Sequence, residues 1–158
     1  LTISAKIKIP FYPVPMTMQT FIVLFLGLSF GYKIAIGTVS LYLLEGILGL
    51  PVFSNSPERG IGLVYFTGPT MGYLIGFLTA SYFASYVSLK DNIFIVFLKL
   101  TLAVSTIYLL GFLWLGTLIG WDKPLFNLGI QPFLLAEAFK LLLLTLITKK
   151  IIKLRDFI

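Results

Sequence analysis

Only 11% of the 158 residues are charged and 58% are hydrophobic, so the few side chains able to do chemistry stand out. Glu45, Glu137 and Lys140 lie well inside apolar runs. Charges in such places are costly, and they usually line a cavity or pair with one another. Glu137 and Lys140 are three apart, which puts them on one face of a helix. At the helical rise, Lys140 lies roughly 12 Å along that helix from Pro132. The pair reads either as an ion pair tying its helix into a bundle or as two polar groups facing a watery pocket. Glu45 is less than two turns from the end of its run and reads as a snorkelling or loop-capping group. Glu58-Arg59 reads as a solvated loop pair. With neither Cys nor His, the chain has no disulfide, thiol nucleophile or thiolate metal site, and it lacks the commonest metal ligand and general base. There is no GxxxxGK[ST] motif, and the glycines of GPTMGYLIG open an apolar helix without a lysine to reach a phosphate.

The elements that must position these groups are membrane helices. A mean hydropathy of +1.01 over this composition describes an integral membrane protein, all-α, in one membrane domain spanning 1–158. The net charge of +6 reports topology rather than nucleic-acid binding, because no basic stripe with interleaved aromatics lies outside the apolar runs. Residues 1–9 are apolar but too short to cross a bilayer, so the sequence is read as starting inside a truncated first helix. Pro10, Pro13 and Pro15 form a short rigid loop. Helices are expected at about 17–31, 34–50, 68–87, 93–119 and 132–152, which makes a bundle of six. Gly27/Gly31 and Gly72/Gly76 have the GxxxG spacing that lets a neighbouring helix approach closely. The turn-rich stretch Gly49–Phe77 is the longest interruption between apolar runs and the organising loop of the chain.

Basic residues orient the bundle. With the C-terminus in the cytoplasm, that side carries Lys33, Lys90, Lys149, Lys150, Lys153 and Arg155, with Lys99 snorkelling towards it. Arg59, Lys123, Lys6 and Lys8 then fall outside, together with the proline loop, the organising loop and the start of the last helix.

Five stretches in collinear order carry a resemblance: PVPMTMQT (Pro13–Thr20), GLPVF (Gly49–Phe53), GPTMGYLIGF (Gly68–Phe77), YLLGFLWL (Tyr108–Leu115) and PFLLAEAFK (Pro132–Lys140). They resemble the successive signatures of the BioY family, the biotin-binding S components of energy-coupling factor (ECF) transporters. The resemblance implies a six-helix bundle in a bacterial or archaeal cell membrane, with the vitamin held near the outer face and no cofactor. It also implies that transport depends on separate partners, a transmembrane coupling subunit and two ATPase subunits. The family has an aspartate where this chain has Glu137, so the acceptor is kept one methylene further out. Most of the family's first helix, which carries small residues for docking on the transmembrane partner, is absent from this sequence.

The residues suit biotin, which offers two ureido N–H groups, a carbonyl, an apolar bicycle and a carboxylate. Glu137 can accept from the N–H groups, Lys140 or Arg59 can meet a carbonyl or the carboxylate, and Asn55 can do either. Phe53, Tyr65, Tyr73 and Trp114 are candidate walls. Two other readings stay open: an S component for another vitamin, and an intramembrane acyl or prenyl transferase. The second would need a nucleophile, a histidine base or an Asp-rich metal site, and this chain has no His or Cys and only two aspartates outside its tail.

Overall fold

The computed structural model describes residues 1–157. A short helix α1 (Thr2–Lys6) leads into a strand β1 (Lys8–Ile9) that pairs antiparallel with β2 (Met16–Thr17), in register Lys8 to Thr17 and Ile9 to Met16. This ribbon departs from the expected all-α chain. Pro10, Pro13 and Pro15 forbid helix between the strands, and the extended flanks find their backbone partners in each other.

Helical hydrogen bonding then runs over α2 (Gln19–Ile47), but Gly31 has φ 72° and ψ 176°, far outside helical values. A buried hydrogen bond from Gln19 Nε2 to Tyr42 Oη, 2.7 Å long, shows what this residue does. On a straight helix those positions would be roughly 34 Å apart. The chain therefore folds back sharply at Gly31, leaving two arms at 19–30 and 32–47. The reversal was expected at Tyr32-Lys33. It falls on the preceding glycine because that residue alone tolerates the positive φ.

The short α3 (Leu63–Phe66) follows the organising loop and precedes α4 (Met71–Ala84), which is shorter at both ends than the predicted 68–87. Pro69 delays its start, and residues 85–87 unwind into turns. Helix α5 (Ile93–Ile119) begins where the Asn92 side chain accepts from the Ile95 N–H, and it stops at Gly120. A turn of helix α6 (Leu125–Gly129) and a 3-10 turn containing Pro132 lead into α7 (Leu134–Ile152). Among the described residues, three helices are long and apolar enough to cross a membrane: α2, α5 and the run Leu125–Arg155. α4 is a shorter apolar helix.

α4 is the centre of the bundle, packed on α5 along one side and on α2 along the other. Its two glycines permit this. A Cβ on Gly72 would lie 2.4 Å from the Leu110 carbonyl oxygen, and one on Gly76 would lie 2.6 Å from the Ile107 Cα. Gly27 presses in the same way on the Ser81 carbonyl. Gly31 does not, since nothing lies within 4 Å of its Cβ position, so the first GxxxG spacing joins one packing glycine to one turning glycine. Leu135, Phe139 and Leu146 project outward from α7, while Glu137, Lys140, Leu144 and Thr148 turn inward. Such an outward apolar face is suited to lipid. At the far end, the Arg155 guanidinium donates to the carbonyls of Gly27, Leu28, Ser85 and Val87. It thereby satisfies groups that the ends of the first α2 arm and of α4 leave open.

Candidate functional site

Residues from five parts of the chain enclose a cavity with about 540 Å³ of empty space, its mouth included. Only about 50 Å³ of this admits the centre of a water molecule, so the space is a narrow slot. Tyr65, Tyr73, Phe77, Tyr108 and Phe133 provide aromatic surface, and Leu74 and Ile107 add aliphatic surface. Tyr73 is fixed by donating its hydroxyl to the Gly129 carbonyl at 2.9 Å, and its ring meets Tyr108 edge to face at 6.1 Å. Tyr65 is stacked on Phe53, with ring centroids 4.7 Å apart. The polar lining comes from Thr17, Gln19, Thr20, Ser54, Thr70 and Glu137.

Glu137 is 5% exposed, and its two oxygens differ. Oε1 accepts from the Thr20 hydroxyl at 2.8 Å and from Lys140 Nζ at 2.7 Å. Oε2 is buried with no hydrogen-bond partner. Lys140 Nζ also donates to the Thr17 carbonyl at 2.7 Å and to Thr20 Oγ1 at 3.0 Å. All three ammonium hydrogens therefore have protein acceptors. Lys140 does not line the cavity. It stands behind Glu137, against a groove formed with Met16, Phe21 and Phe139.

Among the described residues, three buried side-chain polar atoms lack a partner: Ser29 Oγ, Ser54 Oγ and Glu137 Oε2. The last two belong to residues lining this one cavity. Buried polar groups are nearly always satisfied, and two such orphans on residues lining one apolar slot mark it as a place for a polar guest.

Of the residues singled out in the sequence, Tyr65, Tyr73 and Glu137 come together on the cavity. Arg59 lies outside it in a vestibule that shares Tyr65 and Thr70 with the slot, and its Nη1 donates to the Pro13 carbonyl at 2.6 Å rather than pairing with Glu58. Asn55 follows the lining residue Ser54 without lining the slot itself, and its Oδ1 accepts from Lys8 Nζ at 2.7 Å. Phe53 backs Tyr65, and Trp114 donates its indole N–H to the Gly68 carbonyl at 2.9 Å, so neither is a direct wall. Sequence reasoning overlooked Ser54, Thr70, Tyr108 and Phe133 as lining and counted Lys6 and Lys8 only as outer charges.

A family model described as the BioY family matches residues 1–157. The chain is 33% identical over 139 residues to a probable biotin transporter BioY of Pyrococcus horikoshii, covering 88% of this chain and 81% of that protein. It is also 33% identical over 155 residues to the biotin transporter BioY of Thermotoga maritima, covering 98% and 90% respectively. A crystal structure of the S-component for biotin from an ECF-type ABC transporter matches with a TM-score of 0.78 at 25% identity, over 96% of this chain and 84% of that one. Matched along its length in sequence and in fold, this chain belongs to the BioY family.

Proposed function

We propose that this protein is the biotin-binding membrane subunit, or S component, of an ECF-type importer. One observation carries the reading: a narrow aromatic slot lined by Glu137 and Ser54, each of which holds a buried polar side-chain atom without a protein partner. The relatives' names supply the ligand. In this reading Glu137 Oε2 accepts from the ureido N–H groups, and Tyr65 and Tyr73 flank the bicycle. The valerate chain leaves past Thr70 towards the Arg59 guanidinium, whose five N–H donors are only partly used. Lys140 balances the Glu137 charge and Asn55 braces the turn that carries Ser54, each through the contacts described above.

Both arms of α2, with α4, α5 and α7, support five of the six expected membrane segments, and α1 is counted towards the sixth. The asymmetry of lysines and arginines supports a slot on the outer side and a C-terminus in the cytoplasm. Energy would come from a transmembrane coupling subunit and two ATPase subunits, since the sequence carries no nucleotide-binding motif. Equilibrium binding to the purified protein tests the ligand. Saturable binding of one biotin per chain, not competed by thiamine or riboflavin, is expected. Preferential binding of another vitamin would overturn the assignment.

A further inference from the structure

The loop after α2 holds a hydroxyl for which the fold has no use. Ser54 is 5% exposed and lines the slot, yet its Oγ has no partner. Its neighbour Ser56, also buried, donates to the Phe53 carbonyl at 3.0 Å. A buried hydroxyl without a partner is destabilising, so something in the function has to account for it.

The surrounding backbone is held unusually firmly. Lys6 Nζ donates to the carbonyls of Phe53 and Ser56 at 2.9 and 3.0 Å. Lys8 Nζ donates to the Ser54 carbonyl at 3.0 Å and to Asn55 Oδ1. From below, the Phe53 ring lies on Gly46, where an added Cβ would come within 2.0 Å of it. Two ammonium groups thus bind the carbonyls of residues 53, 54 and 56, and an aromatic anchor pins the same turn. Within the braced turn, Ser54 is held in place although its own hydroxyl has no partner.

We propose that Ser54 is a second polar contact to the ligand and that Lys6 and Lys8 are positioning residues that hold it over the slot. The inference rests on the biotin reading. Glu137 Oε2 can only accept as a carboxylate, so it serves an N–H. A hydroxyl can donate, and Ser54 serves an oxygen of the same ligand.

The test uses the full chain and biotin. Ser54→Ala is expected to weaken binding about tenfold, the effect of one hydrogen bond lost to a buried acceptor. The ligand-free variant should melt no earlier than the parent, because the substitution removes an unsatisfied group. Lys8→Met should weaken binding by a similar factor, and Lys8→Arg should restore most of the loss. The Ser54→Ala/Lys8→Met double variant should be no weaker than the worse single, because Lys8 acts through Ser54. A parent that binds biotin alongside an equally tight Ser54→Ala variant would overturn this inference and leave the biotin assignment standing. Losses that multiply in the double variant would overturn the positioning role. A parent that does not bind biotin would instead remove the reading on which the inference rests.

Discussion

Glu137 has one oxygen committed to the fold and one without a protein partner, and Lys140 commits its whole ammonium to the fold. The two residues therefore respond differently to substitution. Lys140→Met removes three hydrogen bonds and leaves a carboxylate without a counter-charge where both side chains are only 7% exposed. That should cost about 3–5 kcal/mol of stability, and adding Glu137→Gln should recover most of it. Glu137→Gln alone should lower biotin affinity about 10- to 100-fold by weakening a charge-assisted acceptor. Thermal unfolding in detergent and biotin affinity, measured on both singles and the double, separate these effects. A Lys140→Met variant that is fully stable but no longer binds biotin would show that its ammonium reaches the ligand directly. That these two residues act together was legible in their i,i+3 spacing. Their division of labour was not, because it depends on Thr17 and Thr20, more than a hundred residues earlier in the chain.

At the scale of elements, glycine decides where helices touch and where they turn. Gly76→Ala would drive a methyl into the backbone of α5 and separate it from α4, a loss of about 3 kcal/mol. Gly37 is exposed on the second arm of α2 with nothing near its Cβ position, so Gly37→Ala should gain about 0.5–1 kcal/mol from helix propensity. Paired denaturation curves check both, and equal effects would contradict the packing described. The long helices were readable from their apolar runs, and α5 falls on its expected bounds of 93–119. Spacing alone could not separate a packing glycine from a turning one, and so Gly31 was read as part of a helix face. The β1–β2 ribbon was missed because two-residue strands carry no periodic signal; only the prolines hinted that helix would fail there. The lysine brace on residues 53–56 was equally hidden, since it joins positions 46 to 50 apart.

The whole molecule is a bundle with its slot near one end and the Arg155 clasp at the other. Lys6, Lys8 and Arg59 surround the slot, and Lys149, Lys150 and Lys153 cluster near the clasp. Because the chain has no cysteine, single cysteines at Asn55 and at Lys153 can be labelled without background. Impermeant reagent outside intact cells should modify the first and not the second, and labelling of both from one side would contradict the topology. On the proposed function, biotin occupies the slot with its ureido group on Glu137. The most direct measurement is the structure of the biotin complex. One biotin is expected between Tyr65 and Tyr73, with a ureido nitrogen within hydrogen-bonding distance of Glu137 Oε2 and an oxygen within reach of Ser54 Oγ. Biotin bound only in the vestibule by Arg59, with the Glu137 oxygen still unpartnered, would contradict that placement.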